Sequence, residues 1–340
     1  MAYLGGRKSR TPFDDADANG DHAAIVAARN VITGTNGNDQ LIGTAGDDVF
    51  RPKRGDDSVN GGAGFDTLRV DYSRVETDGG LNVTGFFSDE NGITGGLGGG
   101  IFSSCVFQSI DSLRFRSWDG DDSVSAALVL LAPGRTIEID GGGGVNTLNL
   151  FASVARPGGP MVFAVDADGT AVSNVGTFIN FQSFYLIAGG SGDDLAMGDG
   201  DDIVFGGKGD DAIAGGGGDD QLFGEAGADT LTGGSGADAF GFVHPGRKHL
   251  DRITDFSHAE SDKIDVSAID ADRSLRRDQA FTFIGDDAFT GAGGANGELR
   301  AQDNGDGTFT VETDANHDGV ADFAILVHAA APLVADDFAV

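Results

Sequence analysis

The sequence predicts an all-β protein: a right-handed parallel β-roll or β-helix of nine-residue repeats, with β-rich insertions and a C-terminal β capping domain. Three observations support this prediction. Glycine occurs 57 times in 340 residues, more than twice its usual share of about 7%. The acidic residues are 47 Asp and only 7 Glu, and both glycine and aspartate disfavour helices. The chain also repeats with a period of nine, which is typical of coiled repeat folds.

The charge of the chain limits its partners. The formal net charge is −32, from 22 Lys and Arg against 54 Asp and Glu. Nucleic-acid phosphates and anionic membrane surfaces both attract basic side chains, so the charge argues against either partner. Hydrophobic residues make up 39% of the chain, which is enough for a core. The single cysteine, Cys105, cannot form an internal disulfide, so a bound metal is the alternative staple for an extracellular chain.

Residues 1–30 are predicted to form a polar N-terminal tail. The apolar stretch at 23–28 is too short for the core of a secretory signal or for a membrane span. We therefore expect either a cytosolic protein or an export signal elsewhere in the chain.

A first repeat array is predicted over residues 31–69. From Gly34, blocks of nine read GTNGNDQLI, GTAGDDVFR, PKRGDDSVN and GGAGFDTLR. Every block has Gly at its fourth position, Asp at its sixth and an apolar residue at its eighth. The sixth positions are Asp39, Asp48, Asp57 and Asp66.

A second array is predicted over residues 189–241. Five unbroken blocks begin at residue 197, and a further block, GGSGDDLAM, precedes them at 189, one residue out of step. The sixth position of that preceding block is Asp194. The sixth positions of the unbroken blocks are Asp202, Asp211, Asp220, Asp229 and Asp238.

The repeat spacing predicts a metal site at each edge of the roll. The glycine-rich half of a block suits a tight turn with positive φ, and the other half suits a short strand with its apolar side chain inward. Two blocks would make one turn, so the aspartates stack with main-chain carbonyls such as those of Gly207, Gly209, Gly216 and Gly218. An oxygen-rich cage of this kind suits several Ca²⁺ ions rather than Zn²⁺ or Mg²⁺. The alternative, Gly-Asp hairpins in an ordinary antiparallel protein, fits so many regular matches poorly.

The two arrays resemble the RTX (hemolysin-type) nonapeptide GGxGxDxUx, which forms a calcium-binding parallel β-roll. The resemblance implies that the sixth-position aspartates are Ca²⁺ ligands. It covers 34–69 and 189–241.

Residues 70–188 are predicted to be a duplicated β-rich insertion region with isolated repeats. The block SWDGDDSVS at 117 adds Asp122 to the predicted ligands, and GGGGVNTLN at 141 has Asn146 where Asp is expected. GGAGFDTL at 61 recurs as GGGGVNTL at 141, and Phe-Gln-Ser at 107–109 recurs at 181–183. Each unit is interpreted as a roll turn, an insertion and a return to the roll. The glycines at 95–100 predict a flexible loop.

Residues 242–340 are predicted to be a secretion and capping domain. The segments DRITDF at 251, DKIDVS at 262 and GELR at 297 come in an order similar to the C-terminal domain of serralysin-type secreted metalloproteases. The resemblance implies a β cap on the roll and an uncleaved signal for the type I secretion machinery. The chain end resembles that signal, which comprises Asp337, Phe338, Ala339 and Val340. The resemblance therefore implies a secreted, extracellular or cell-surface protein.

One loop of the C-terminal region resembles the start of an EF-hand. Its candidate ligands are Asp314, Asn316, Asp318 and Asp322. Ile325 stands at the twelfth position, where a bidentate Glu is expected. A calcium site and a polar β-turn are equally compatible with this loop.

The sequence offers no recognisable catalytic site. It contains neither the HExxH motif of zinc proteases nor the GxSxG elbow of lipases, nor a phosphate-binding P-loop. His244 and His249 are five residues apart and suit a loop better than a metal site. The serralysin resemblance therefore carries no protease activity, and we expect a protein that is not an enzyme.

The sequence favours a calcium-dependent structural, surface-layer, matrix or adhesive protein. Its candidate partners besides the secretion machinery are cell-surface polysaccharide and further copies of the chain. One alternative is a polysaccharide-modifying enzyme with its site in 70–188, although that segment has no His and only five basic residues. Another alternative is an accessory module of a partner enzyme.

Overall fold

The fold was examined in a computed structural model. The structure describes residues 25–26, 31–71, 81–82, 86–89, 92–99, 103–117, 121–128, 135–152, 160–167, 169–243, 250–271, 279–291 and 297–340. Within these ranges the regular elements are β-strands and one short 3₁₀ helix. No helix of the described residues is long and apolar enough to cross a membrane.

The first array forms two parallel sheets that the chain visits alternately. Strands β1, β3 and β5 belong to one sheet and β2, β4 and β6 to the other. Gln40 pairs with Ser58 and Val49 with Thr67, so each strand pairs with the strand two blocks later. The pairing of β1 with β3 places the start of the roll within the segment expected to be a tail. The strands are β1 (Ile25–Val26), β2 (Val31–Thr33), β3 (Gln40–Ile42), β4 (Val49–Arg51), β5 (Gly55–Asn60) and β6 (Thr67–Asp71).

The roll continues through the middle region, where longer segments separate its turns. Parallel pairing runs through β6, β11, β13 and β17 on one sheet and through β12, β14 and β18 on another. The strands are β7 (Leu81–Asn82), β8 (Phe86–Asp89), β9 (Gly92–Gly99), β10 (Ser103–Ile110), β11 (Ser112–Arg116), β12 (Ser123–Leu128), β13 (Thr136–Asp140), β14 (Thr147–Ala152), β15 (Val162–Val165), β16 (Ala171–Ser173), β17 (Gly176–Ile179) and β18 (Ser183–Ile187).

The insertions are antiparallel additions to these sheets. β9 pairs antiparallel with β7, β8 and β10, and β16 lies antiparallel between β15 and β17. The prediction of a flexible loop at 95–100 was wrong for 95–99, which belong to β9. Glycine has a weak preference for strands, but it can still form main-chain hydrogen bonds with a neighbouring strand. Pairing with the long strand β10 therefore holds these glycines in β9.

The second array is the most regular part of the roll. β19, β21 and β23 lie in the sixteen-stranded sheet, and β20, β22 and β24 lie in the eight-stranded sheet. The strands are β19 (Asp194–Ala196), β20 (Ile203–Lys208), β21 (Ala212–Gly217), β22 (Gln221–Ala226), β23 (Thr230–Ser235) and β24 (Ala239–Gly241). The structure thus has the parallel roll that the nine-residue period predicts.

The C-terminal region extends the roll and then closes its end. β25 pairs parallel with β23 and β26 with β24, while β28, β29 and β30 form an antiparallel meander. The last strand, β31, lies parallel to β26 at the edge of the eight-stranded sheet. The elements are β25 (Asp251–Phe256), β26 (Lys263–Asp265), β27 (Thr282–Phe283), β28 (Glu298–Asp303), β29 (Thr308–Asp314), β30 (Phe323–Ala329), the 3₁₀ helix (Ala335–Asp337) and β31 (Phe338–Ala339).

The core is the space between the sheets, filled by the eighth residue of each block. These side chains are at most 1% exposed, because strand alternation turns them inward. They are Leu41, Phe50, Val59, Leu68, Val204, Ile213, Leu222, Leu231 and Phe240. The core positions the aspartates, since each sixth residue lies two places before an anchored apolar side chain.

Candidate metal centre

The sixth-position aspartates form hydrogen-bonded ladders along the turns of the roll. In the second array, Oδ1 of each aspartate accepts the main-chain N–H of the residue eighteen positions earlier, at 2.7 to 3.0 Å. The side chain therefore bridges one turn to the previous one. These bonds join Asp193 to Asp211, Asp202 to Asp220, Asp211 to Asp229, and Asp220 to Asp238.

Glycines allow the turns to stack this closely. Gly207 and Gly216 have φ of 104° and 107°, in the left-handed region that favours glycine. A Cβ on Gly207 would lie 2.2 Å from the Gly189 oxygen. The carbonyl oxygens of successive turns also lie close to the glycines of the next turn. A Cβ on the glycine of the next turn would lie within about 2 Å of the carbonyl oxygen of Gly209, Gly216 or Gly218, three of the predicted carbonyl ligands.

The second carboxylate oxygen is the unusual feature of the ladder. In six aspartates Oδ2 is buried and accepts no hydrogen bond. Beside Gly215, a Cβ would meet Asp220 Oδ2 at 2.1 Å and the Gly233 carbonyl oxygen at 2.7 Å, so the two acceptors face the same small space. Such a pair needs a cation or a proton between its members. The six are Asp57, Asp66, Asp202, Asp211, Asp220 and Asp238.

Burial raises the pKa of these carboxyl groups. The pKa of Asp220 rises to about 8, those of Asp57, Asp202 and Asp211 to about 7, and those of Asp66 and Asp238 to about 6. Desolvation is the main cause in every case, partly opposed by the main-chain N–H that each carboxylate accepts. Neighbouring carboxylates add a smaller upward contribution. In the absence of a cation the folded roll thus disfavours the charged form.

The donor set fits a hard divalent cation. Every candidate ligand is an oxygen, from one carboxylate per turn and from main-chain carbonyls, and Ca²⁺ prefers such ligands. Among the described residues no three His, Cys, Asp or Glu side chains converge on one point. The candidate ligands beside Gly215 are one carboxylate oxygen, from Asp220, and one main-chain carbonyl oxygen, from Gly233, whereas Zn²⁺ is held by clusters of Cys and His side chains.

The first array contains two kinds of turn. Asp57 and Asp66 have the buried, unbonded Oδ2 described above. Asp39 Oδ2 instead accepts the main-chain N–H of Thr35 at 2.6 Å and its hydroxyl at 3.0 Å, and Asp48 Oδ2 is held in the same way by Thr44. In these two blocks a Thr at the second position donates to Oδ2, whereas the block of Asp57 has Lys53 at that position and the block of Asp66 has Gly62.

Ten of the eleven predicted aspartates lie at ladder positions and are at most 3% exposed. The exception is Asp194, which is exposed on β19. Its neighbour Asp193 takes the ladder position: Oδ1 accepts the Met161 N–H at 2.6 Å and its own N–H bonds Asp211. Asp193 precedes Asp202 by nine residues, so the register of the coil, rather than the local glycines, decides which of the two aspartates turns inward.

The structure adds ladder residues that the motif search missed. Asp111, Gln182, Asp251 and Asp262 accept main-chain N–H groups just as the array aspartates do, and so does Asn146. Most of them begin a polar-x-apolar triplet without the glycine-rich half, as in Asp111-Ser112-Leu113. That triplet is the signal that could have found them.

The Phe-Gln-Ser duplication does not align structurally. Gln182 is in the ladder and accepts the Asn146 N–H at 2.7 Å, whereas the corresponding place in the earlier unit is taken by Asp111. Ser109 and Asn180, each two residues before the ladder position, have positive φ of 54° and 62°. The structural repeat, with a spacing of 71 residues from Asp111 to Gln182, is thus offset by three residues from the letter-by-letter match.

The other predicted sites differ from the ladder. In the 314–322 loop, Asp314 and Asp322 accept main-chain N–H groups of the loop itself, as in a polar turn. Asn316 and Asp318 make similar local bonds. His244 and His249 lie outside the described residues. The chain end is folded, with Asp337 closing the 3₁₀ helix and Phe338 and Ala339 forming β31, followed by Val340.

A family model agrees with the geometry of the arrays. The model of the RTX calcium-binding nonapeptide repeat, with four copies, matches residues 33–68, 186–213 and 205–240. This chain carries RTX nonapeptide repeats. The RTX match covers both arrays and confirms Ca²⁺ as the predicted cation. The individual ligands stay a prediction. The serralysin-like character of 242–340 stays a prediction.

Comparison with solved structures finds a subunit of an epimerase. The solution structure of the AlgE6R3 subunit of the mannuronan C5-epimerase from Azotobacter vinelandii is 30% identical over 44% of this RTX chain and 78% of that chain. Its TM-score is 0.31, too low for the superposition to support a conclusion. No curated protein matches the chain.

Proposed function

We propose that this RTX protein is secreted, binds several Ca²⁺ ions outside the cell and folds its roll as they bind. The observation that carries the proposal is the set of six buried carboxylate oxygens without a hydrogen-bond partner. Beside Asp66, Asp211 and Asp220 a main-chain carbonyl oxygen faces the same space as the carboxylate oxygen. Ca²⁺ satisfies both acceptors and offsets part of the net charge of −32.

The coupling of folding to calcium follows from desolvation. Folding buries the ladder carboxylates whether or not a cation is present, and burying an ionised carboxylate without a counter-charge is costly. A cation that binds the folded chain alone shifts the equilibrium toward the fold by mass action. Where calcium is scarce, the acidic chain stays expanded and suits export through a narrow channel.

Secretion through a type I system is part of the same proposal. Asp337 and Phe338 are buried when β31 pairs with β26, so the folded chain covers them. An exporter that reads this segment must therefore act before the roll folds. Low cytosolic calcium keeps the segment accessible, and extracellular calcium then makes export irreversible.

We further propose a structural rather than catalytic role outside the cell, as a surface-layer, matrix or adhesive component. The continuous coil supports this role, because its sixteen-stranded sheet forms a long stiff surface. Cell-surface polysaccharide and further copies of the chain are the candidate partners. A turnover screen with alginate-like and pectin-like polymers tests the role: product formation that survives rigorous purification would contradict it.

Circular dichroism and size measurement with and without a calcium chelator test the calcium coupling. We expect an expanded chain in EGTA and a compact β-rich one in millimolar Ca²⁺, with equal Mg²⁺ as the control. A chain that is equally compact in EGTA and Ca²⁺ would defeat the proposal.

A further inference from the structure

The central turns of the roll contain hydrogen-bond donors that satisfy the buried oxygen atoms of those turns. Asn146 holds the ladder position where the array repeats have Asp, and its Oδ1 accepts the Asp122 N–H at 2.8 Å. Its Nδ2 donates to the main-chain oxygen of Asn180 at 2.8 Å and of Gly143 at 3.3 Å. The amide therefore links the same two turns that a ladder carboxylate links, and it also satisfies the carbonyls.

The Asn146 turn and a calcium-type turn place their atoms alike. A Cβ on Gly141 would lie 2.8 Å from both Asn146 Nδ2 and the Asn180 oxygen. A Cβ on Gly206 would lie 2.4 Å from Asp211 Oδ2 and 3.0 Å from the Gly224 oxygen. The first turn pairs a donor with an acceptor and the second pairs two acceptors. The Asn146 side-chain N–H therefore satisfies the carbonyl oxygen in the first turn. In the second turn, a cation must satisfy the two facing oxygens.

In the turns next to Asn146, the side-chain oxygens at the ladder positions also accept hydrogen bonds from neighbouring groups of the chain. The Ser117 hydroxyl donates to Asp122 Oδ2, and the Gly189 N–H donates to Asp193 Oδ2 at 3.1 Å. Gln182, a neutral side chain, bonds the Asn146 N–H. None of these residues belongs to the set with a buried, unbonded carboxylate oxygen.

We propose that the described turns between Asp122 and Asp193 close without a cation and that Ca²⁺ is required only by the turns on either side. Those turns hold Asp57 and Asp66 before the central segment and the aspartates from Asp202 to Asp238 after it. The inference rests on the proposed function, because it assigns the calcium dependence to particular turns. The central strands then serve as a folded template: β18 pairs in register with β20, Leu186 beside Val204, so the second array can grow from it as calcium binds.

Hydrogen–deuterium exchange of the full chain in EGTA and in Ca²⁺ tests this assignment. In EGTA we expect amides of β14 and β18 to exchange at least tenfold more slowly than those of β22, and in Ca²⁺ we expect all three strands to be protected. Equal, fast exchange of β14, β18 and β22 in EGTA would overturn the inference and leave calcium-coupled folding intact. Full protection of β22 in EGTA would contradict the proposed function as well.

Exchanging Asn and Asp at ladder positions tests whether the side-chain amide of Asn146 removes the need for calcium in its turn. Asn146→Asp should abolish the protection of β14 in EGTA and restore it in Ca²⁺, because the donor becomes a second acceptor. Asn149→Asp adds the same charge three residues further along, in β14, where the Asn149 side chain donates to the exposed Ser123 hydroxyl, and it serves as the control. If the two variants exchange equally in EGTA, the inference is wrong.

The opposite substitution, Asp211→Asn, tests the inference even if the Asn146→Asp variant fails to fold. Asp211→Asn should supply a donor to the Gly224 carbonyl, slow the exchange of β21 in EGTA and reduce the calcium stoichiometry by one ion in titration calorimetry. Unchanged stoichiometry together with unchanged exchange would overturn the inference.

Discussion

Asp211 Oδ1 accepts the N–H of Asp193 at 2.7 Å, while Asp211 Oδ2 is buried and accepts no hydrogen bond. The two oxygens of one carboxylate thus have different roles. Oδ1 links two successive turns of the roll through a hydrogen bond. Oδ2 has no hydrogen-bond donor and is therefore available to a cation. This division supports the proposal that the residue that builds the coil also makes its folding depend on calcium.

Without calcium, the roll should become more stable as the pH falls from about 8 to about 5. The ladder pKa values of about 6 to 8 lie above the ordinary 3.8, so the folded state binds more protons than the unfolded state in this window. The stabilisation is complete below the unfolded pKa and is lost as the pH rises through the folded values. Circular dichroism in EGTA at several pH values measures the folded fraction, which we expect to increase as the pH falls; a folded fraction that rises with pH between 5 and 8 would contradict the assignment.

Calcium binding should release protons at pH 7. In a roll that is already folded before the cation arrives, the pKa of Asp220 is about 8 and that of Asp211 about 7, so both are substantially protonated at pH 7 and release protons when the cation binds. An expanded chain has no such protons to release. Calorimetric titration in two buffers of different ionisation enthalpy measures the release. We expect the release to disappear near pH 9, and a binding heat that is independent of the buffer at pH 7 would argue against protonated ladders.

Gly215→Ala should weaken calcium binding and lower Tm in calcium. The new Cβ would lie 2.1 Å from Asp220 Oδ2 and 2.7 Å from the Gly233 oxygen, so it would occupy the space between the two predicted ligands. Gly46→Ala is the matched control, because its Cβ would meet only the Thr44 hydroxyl at 3.9 Å and should change stability by no more than about 0.5 kcal/mol. Equal calcium affinity in the two variants would show that this space does not hold the ion.

Asp337→Ala should destabilise the C-terminal cap by about 1 to 3 kcal/mol. Asp337 Oδ2 accepts the Val334 N–H at 2.6 Å, and Oδ1 lies 2.8 Å from His258 Nδ1. The control is Asp336→Ala, which removes the same charge from an exposed neighbouring position. Denaturant unfolding in Ca²⁺ compares the variants; indistinguishable midpoints would mean that Asp337 does not anchor β31.

The local motif predicted the arrays well and the middle of the chain less completely. Within the arrays every turn repeats the same glycine, aspartate and apolar positions, so one block describes all of them, including Asp220 and Leu222. At several turns of the middle, as at Asp111 and Leu113, the glycine-rich half is absent and only the inward polar residue and its apolar neighbour persist. Inserted strands then change the spacing between turns, which a fixed period cannot follow.

By itself, the sequence determined the parallel coil, its inward apolar row and the oxygen-rich, calcium-binding character of its turns. These properties depend on residue type at a short, regular spacing. The tertiary structure alone decided that Asp193, rather than Asp194, faces inward, that Gln182 occupies a ladder position, and which carboxylates have a donor of their own. Those outcomes depend on which main-chain groups of the adjacent turn face a side chain, and that is fixed only when distant segments stack.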